Sequence, residues 1–202
     1  MRIDYKGDLD KLFLTSDDHF FHEGILKFCN RPFESNEHQT EELIRRWNEV
    51  VPKDGVVINH GDLCWTGNID VIDGLVNRLN GVIHLVLGNH DLKNKLDRRV
   101  IAEIFEKKGG SVSDMLTTTV IKDNNQQILS CHYPLLFWPP RMIMTHGHIH
   151  SGPNSISSEV APFHPMRQDV GVDNCNFYPI SYLELKEIID NQKIIAISGE
   201  NA

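Results

Sequence analysis

Seven residues with metal-binding side chains stand just after short apolar runs of this sequence. Carboxylate, amide oxygen and neutral imidazole groups are all ligands for Mn, Fe, Ni or Zn. Seven ligands exceed what one ion takes from protein while it keeps open positions. They therefore predict two ions roughly 3.5–4 Å apart that share one bridging carboxylate. The candidate ligands are Asp17, His19, Asp62, Asn89, His132, His148 and His150.

The spacing of these residues is consistent with one shared centre. In Asp17-Asp18-His19 and His148-Ile149-His150, two candidate ligands are separated by a single residue. Side chains at positions i and i+2 lie on the same side of an extended segment. Gly61, Gly88 and Gly147 let the backbone pass close to the site, where a Cβ would crowd it.

The predicted secondary structure explains how the candidate ligands meet. Apolar runs predict strands at residues 12–16, 56–60 and 82–87, and helical spacing of apolar residues predicts helices at 38–50, 69–79 and 96–108. This alternation indicates a sheet with parallel strands covered on both faces. The carboxyl ends of such strands converge on one edge, where ligands bind.

The second half of the chain is richer in predicted strands. Strands at 116–121 and 127–131 flank a hairpin turn at 123–125, and another strand covers 142–145. A helix is predicted at 182–189 and a closing strand at 193–198. With no internal repeat or linker, the sequence predicts one α/β domain over residues 1–202.

The composition is that of a globular protein, with 40% apolar and 24% charged residues. The chain has no apolar run long enough for a membrane span and no secretory signal at its N-terminus, which predicts a cytoplasmic protein. Four scattered cysteines read as free thiols packed in the interior. The net charge of -8 argues against broad binding to nucleic acid, although a local basic patch is compatible with it.

Five motifs in order resemble the signature of the calcineurin-like metallophosphoesterases. They span residues 17 to 150, and their wider context is similar to that of a group of small bacterial and phage phosphoesterases. The resemblance implies a single-domain mixed αββα sandwich. The motifs are Asp17-x-His19, Gly61-Asp62, Gly88-Asn89-His90-Asp91, His132 and Gly147-His148-x-His150.

The resemblance assigns each candidate ligand to one of two divalent ions, with Mn²⁺ favoured and Fe, Ni or Zn as alternatives. Asp62 would bridge both ions. The resemblance also makes His90 the acid near the substrate and Asp91 its orienting partner. The first ion would be held by Asp17, His19, Asp62 and His150, and the second by Asp62, Asn89, His132 and His148.

The implied reaction is hydrolysis of a phosphate ester. Two cations would polarise the phosphoryl oxygens and lower the pKa of a bridging water, so that hydroxide attacks in line. His90 would protonate the leaving alkoxide. Asn89 and His90 would contact the substrate, and Arg31 would bind phosphate unless it lies in a solvated loop.

Three other stretches keep two interpretations each. Phe137-Trp138 packs at the rim of the site or stacks an aromatic group of the substrate. A basic cluster around Arg98 is a solvated helix face or a contact for a nucleotide or nucleic-acid backbone. The loop at 151–165 is a connection or a determinant of specificity. The cluster comprises Lys93, Lys95, Arg98 and Arg99.

The function that these predictions favour is hydrolysis of phosphodiesters of a small or nucleotide-like substrate. The alternatives are a phosphomonoesterase, an exonuclease, and a metal-binding interaction module on the same fold that has no activity. The module would be expected to lose ligands, whereas every ligand position is filled here. The expected partner is a small phosphorylated substrate; nucleic acid is possible but not favoured, no membrane is expected, and the oligomeric state is open.

Overall fold

Four parallel strands and one antiparallel strand form the sheet that contains the first half of the chain. The computed structural model describes residues 1–91, 97–122, 125–153 and 161–198. The strand order is β10-β2-β3-β4-β5, with β2, β3, β4 and β5 parallel. The strands are β2 (Leu12–Thr15), β3 (Val56–Asn59), β4 (Val82–Val86), β5 (Ser111–Ser113) and β10 (Ile180–Ser181).

Three amphipathic helices share a core with this sheet and explain why its strands are apolar on one face. Trp47, Leu75 and Phe105, one from each helix, are buried in the same cluster as Val57 and Ile83 of the strands. Side chains of Ser35, Asn68 and Asp97 cap the three helices. The helices are α2 (Asn36–Val50), α3 (Ile69–Arg78) and α4 (Arg98–Glu106), preceded by the shorter α1 (Glu23–Phe28).

A second five-stranded sheet contains most of the second half of the chain. Its order is β1-β6-β7-β8-β9, in which only β6 and β7 are antiparallel. The predicted hairpin is therefore confirmed, although residues 123 and 124 of its turn lie outside the described residues. The strands are β1 (Arg2–Tyr5), β6 (Leu116–Ile121), β7 (Gln127–Cys131), β8 (Ile143–His146) and β9 (Arg167–Asp169).

The two sheets face each other across a second apolar core. Leu14 and Ile58 of the first sheet belong to the same buried cluster as Ile128 and Ile143 of the second. The α/β sandwich of two sheets predicted from the sequence is confirmed.

His60 fastens the two sheets together near the carboxyl ends of their strands. Its ring is fully buried, with Nδ1 2.9 Å from the carbonyl oxygen of Thr15 and Nε2 2.7 Å from Thr145 Oγ1. The carbonyl can only accept, so Nδ1 carries the proton and Nε2 accepts from the threonine hydroxyl. Burial lowers the pKa of His60 to about 4 and keeps the ring neutral.

The C-terminal segment departs from the sequence prediction. The closing strand predicted at 193–198 is wrong, because one helix, α5 (Tyr182–Ser198), continues through it. Residues 191–196 are exposed or half-buried, whereas a closing strand would be buried. Leu185 and Ile189 of α5 pack into the core between the sheets. Among the described residues, no helix is both long enough and apolar enough to cross a bilayer.

Candidate metal centre

The candidate ligands lie at the carboxyl ends of strands from both sheets. In the first sheet, Asp17 follows β2, Asp62 follows β3 and Asn89 follows β4. In the second sheet, His132 follows β7 and His148 follows β8. The sandwich therefore collects polar side chains from five separate segments at one end.

Asp17, His19 and His150 form one buried group, whose ligand atoms all lie within 4.8 Å of one another. Asp17 Oδ1 is 3.9 Å from His150 Nε2. Asp17 Oδ1 and His19 Nε2 are buried and have no hydrogen-bond partner within the described part of the chain. Buried polar atoms are normally satisfied, so these two atoms fit a bound divalent cation.

A second group surrounds His132. Its Nε2 atom lies 3.0 Å from Asn89 Oδ1, 3.2 Å from His148 Nδ1 and 3.5 Å from Asp62 Oδ2. Metal bonds of about 2.0–2.2 Å place neighbouring ligand atoms roughly 3–3.5 Å apart. These nitrogen and oxygen atoms are therefore spaced as ligands of one ion.

Asp62 lies between the two groups. Its Oδ2 atom is 3.7 Å from His19 Nε2 on one side and 3.5 Å from His132 Nε2 on the other. Its Oδ1 atom accepts a hydrogen bond from the backbone N–H of His90 at 2.7 Å. Burial raises the pKa of Asp62 to about 7, and the charges of Asp17 and Asp91 act in the same direction. His132 lowers this pKa, but its effect is smaller than that of burial. A cation at this position would favour the ionised form.

Hydrogen bonds on the far side of two imidazole rings fix which nitrogen faces the centre. His132 Nδ1 donates to the carbonyl oxygen of His60 at 2.9 Å, and His150 Nδ1 lies 2.7 Å from Asp173 Oδ2. In both rings Nε2 is left to point at the ligand groups, as in carboxylate–histidine–metal and carbonyl–histidine–metal sites. Burial lowers the pKa of His19 well below its ordinary value, which keeps that ring in the neutral form that binds metal.

Five of the seven candidate ligands have left-handed backbone conformations. The φ angles are 58° for Asp17, 51° for His19, 53° for Asp62, 71° for His148 and 48° for His150. Each such residue costs about 1–3 kcal/mol and persists only where its surroundings hold it. The inference that the paired ligands lie on extended segments is therefore wrong. Their side chains converge because the backbone turns sharply after each strand.

Two glycines permit the close approach of these turns. A Cβ at Gly88 would overlap the carboxylate and backbone nitrogen of Asp62. A Cβ at Gly147 would overlap the Asp17 carboxylate and the Ser16 hydroxyl. The crowding predicted from the sequence is confirmed at both positions.

Asp91 has a different partner from the one predicted. Its carboxylate accepts backbone hydrogen bonds from Asp62 at 2.9 Å, Leu63 at 3.0 Å and Gly88 at 2.7 Å. It therefore ties the turn after β3 to the turn after β4. The prediction that Asp91 orients His90 is not supported by these contacts, because both carboxylate oxygens serve the backbone.

His90 lies at the mouth of the centre with its side chain 20% exposed. Its Nε2 atom is 3.7 Å from Asp62 Oδ2. The ring also lies against Trp65, whose centroid is 4.6 Å away, and Trp65 in turn stacks on His22 at 4.1 Å. His90 is thus the candidate acid that both solvent and the metal centre can reach.

The prediction that Arg31 binds phosphate is contradicted by the contacts of its side chain. Its side chain is fully buried, and its five N–H groups donate to five protein oxygens. No donor remains for a substrate. The acceptors are both carboxylate oxygens of Asp173, the carbonyl oxygens of Asp17 and Asp18, and Gln39 Oε1.

The three stretches for which the sequence left two interpretations lie only partly within the residues that the structure describes. Lys93 and Lys95 of the basic cluster lie outside the described residues, as do residues 154–160 of the loop. Arg98 pairs with Asp114 on the surface of α4. Trp138 Nε1 donates to the carbonyl oxygen of Met142, its ring lies against His164, and Phe137 is 91% exposed.

The family model described as calcineurin-like phosphoesterase matches residues 11–175, which include every candidate ligand. The chain belongs to this family. Membership supports metal-dependent hydrolysis of phosphate esters, and the buried Asp and His groups are able to hold the divalent ions that the family binds.

Two individual proteins are similar to this chain. The uncharacterized protein MJ1445 of Methanocaldococcus jannaschii is 31% identical over 196 residues, which cover 92% of this chain and 94% of that protein. The crystal structure of the protein of unknown function AQ665 from Aquifex aeolicus matches with a TM-score of 0.64 at 20% identity. That match covers 88% of this chain and 98% of the other, and it shows a common fold.

The sequence analysis did not predict a role for two residues that support the centre, Asp173 and Asn59. Asp173 contacts His150 from a turn that follows β9, a three-residue strand too short to predict. Asn59 donates to Asp18 Oδ2 at 2.7 Å and accepts from the backbone of Gly61 at 2.9 Å. Both fit the pattern of polar residues at strand ends, which would have been the signal for them.

Replacing Gly147 with alanine is expected to damage the centre, because the new Cβ would displace the Asp17 carboxylate. Titration of the purified variant with Mn²⁺ should show weakened binding, and urea unfolding should show a loss of about 1–3 kcal/mol. Gly74→Ala is the matched control, since a Cβ there meets nothing within 4 Å. Unchanged Mn²⁺ affinity in Gly147→Ala would contradict this assignment.

Proposed function

We propose that this protein is a metal-dependent phosphodiesterase that acts on a small or nucleotide-like substrate. The observation that carries the proposal is the position of Asp62 Oδ2, less than 4 Å from the metal-facing nitrogens of both His19 and His132. Such an arrangement suits one carboxylate shared by two ions. Mn²⁺ is the ion we favour because it suits the oxygen ligands, and Fe, Ni or Zn, which suit the imidazole ligands, are the alternatives. The cytoplasm is the expected location.

In this proposal Asp62 is a ligand of both ions, and each of the other ligands binds one ion. When bound, the ions would neutralise phosphate charge and lower the pKa of a water molecule to make it a nucleophile. The other ligands are Asp17, His19 and His150 for the first ion, and Asn89, His132 and His148 for the second.

His90 is proposed as the general acid. Its ring lies at the exposed side of Asp62, where a substrate on the ions would present its leaving oxygen. An imidazole there can donate a proton to an alkoxide near neutral pH. Asn89, next to it in the same turn, would contact both the second ion and the phosphate.

The burial of Arg31 supports a diester over a monoester. A monoester carries one more negative charge than a diester at neutral pH. Because Arg31 is fully engaged with protein acceptors, it adds no donor to the face where the phosphate would bind. Neutralising the second charge of a monoester would then fall to the ions alone, whereas a diester presents only one charge.

Aromatic rings around the centre support a substrate with a base or other flat group. The Tyr133 ring lies 4.6 Å from His148 and is 44% exposed. The Phe28 ring lies 6.0 Å from His150 on the opposite ligand group and is 55% exposed. Exposed rings beside a phosphate site can stack a nucleobase.

The diester preference is tested with the Mn²⁺-loaded protein on bis-p-nitrophenyl phosphate and p-nitrophenyl phosphate. We expect a higher kcat/KM on the diester. Asp62→Asn should abolish both activities, because it removes the charge shared by the ions. A preference for the monoester would replace this proposal with a phosphatase. Two bound ions without turnover of either substrate would indicate an inactive binding module.

The role of His90 is tested by comparing leaving groups in His90→Ala. A dinucleotide leaves as a basic alkoxide that needs a proton, whereas p-nitrophenolate does not. The variant should lose about 10²- to 10⁴-fold in kcat on the dinucleotide and much less on bis-p-nitrophenyl phosphate. Equal losses on both substrates, with Mn²⁺ binding intact, would mean that His90 is not the acid.

The aromatic rim is tested with Phe28→Ala and Tyr133→Ala. Loss of a stacking contact of about 1–3 kcal/mol should raise KM for a dinucleotide about 5- to 150-fold. KM for glycerophosphocholine, a diester that has no aromatic ring, should not change. Phe137→Ala is the control, because this exposed ring has no contact with a ligand histidine among the described residues. An equal rise on both substrates would exclude base stacking.

A further inference from the structure

The Arg31 guanidinium joins the backbone of one ligand segment to the side chain behind another. Nη2 donates to the carbonyl oxygen of Asp17 at 2.7 Å, and Nη1 donates to that of Asp18 at 2.9 Å. Nε and Nη2 each donate to one oxygen of Asp173 at 2.8 Å. The guanidinium fork thus holds two parts of the candidate centre at a fixed separation.

Gln39 extends the same network by one residue. Its Oε1 atom accepts from Arg31 Nη1 at 3.2 Å, and its Nε2 atom donates to the carbonyl oxygen of His19 at 3.3 Å. The carbonyl groups of three consecutive residues, 17 to 19, are therefore all bound from one side. Asp17 and His19 are two of the residues with left-handed backbone, so this network holds a conformation that costs energy.

Asp173 passes the constraint to His150. Asp173 Oδ2 lies 2.7 Å from His150 Nδ1 while it accepts from Arg31. An ionised carboxylate can only accept, so Nδ1 must carry the proton. His150 Nε2 then faces Asp17 Oδ1, 3.9 Å away, as a ligand atom for a cation.

A metal ion within the group Cys29, His150 and Asp173 is the competing interpretation. The ligand atoms of these three buried residues also lie within 4.8 Å of one another. However, the Arg31 cation already binds both carboxylate oxygens of Asp173 at 2.8 Å. A second cation there would be repelled, so a proton on His150 Nδ1 fits this position better than a metal.

We propose that Arg31 and Asp173 are positioning residues for one of the two metal sites, the site formed by Asp17, His19 and His150. Arg31 sets the backbone at Asp17 and at Asp18, which directly precedes His19, and Asp173 sets the ring orientation and tautomer of His150. This inference rests on the proposed metal centre. It does not involve the site around His132, whose ring is oriented by the carbonyl oxygen of His60 instead.

The test is calorimetric titration of the full chain with MnCl₂, comparing the wild type with Asp173→Asn. The wild type should bind two ions. The variant should bind one of them about 10- to 100-fold more weakly and the other with unchanged affinity. Asp169→Asn is the matched control, because Asp169 is similarly buried but bonds to Ser151 and Gly171 rather than to a candidate ligand. It should keep both affinities.

A second variant is needed if Asp173→Asn does not fold, because that substitution leaves the buried charge of Arg31 without its partner. Arg31→Met combined with Asp173→Asn removes both charges, which is often tolerated. The same selective weakening is expected in this double variant. In the zinc-loaded wild type, ¹⁵N-correlated NMR should show His150 protonated on Nδ1, and the double variant should show a mixture of tautomers.

The outcomes separate this inference from the proposed function. A wild type that binds no Mn²⁺ would overturn the metal centre itself. A wild type that binds two ions, together with folded variants that keep both affinities and the Nδ1 tautomer, would overturn only the positioning role. Equal weakening of both sites would also overturn it, because that result indicates a general loss of structure.

Discussion

The burial of carboxylate groups is the constraint on which the rest of this structure depends. Asp17 and Asp62 converge from two strands in a region that water barely reaches. The pKa of Asp62, raised to about 7 mainly by burial, shows that the ionised form lacks compensation from the protein side chains alone. A divalent cation bound by these carboxylates would supply it. Folding and metal binding are therefore linked, because metal that binds the native state stabilises it.

The geometry that brings the ligands together has its own cost. Left-handed backbone at Asp17, His19 and Asp62 is unfavourable for residues with a Cβ. The surrounding contacts offset this cost with hydrogen bonds to the turns. The Asp91 carboxylate binds the N–H groups of Asp62 and Leu63, and the backbone N–H groups of Asp17 and His19 donate to the turn after β3. Strain is thus confined to the turns, and the strands beneath them remain regular.

The sequence was informative where chemistry and periodicity coincide. The three parallel strands β2, β3 and β4 and the hairpin of β6 and β7 were predicted because their apolar runs are bounded by polar turns. The candidate ligands were found because each follows such a strand. The closing strand was wrong because the apolar residues 194–197 suit a helix as well as a strand, and only packing decides between them.

The supporting residues were harder to predict because their roles depend on contacts between distant segments. Arg31 and Asp173 are 142 positions apart, and neither position has a periodic pattern that points to the other. A phosphate-binding role for Arg31 followed from its chemistry alone. Asp91 was paired with His90 on the family resemblance, but its carboxylate accepts hydrogen bonds from the backbone instead. Sequence thus identified which groups are present, and the fold decided which of them face the substrate.

The centre consequently has two sides with different physical demands. On the buried side, Arg31, Asp91 and His60 are held by fully paired hydrogen bonds, and a change in any of them leaves a buried polar group without its partner. On the exposed side, Phe28 and Tyr133 are free to vary in shape without disturbing those bonds. A protein built this way can alter the substrates it accepts while it keeps its metal ligands in place.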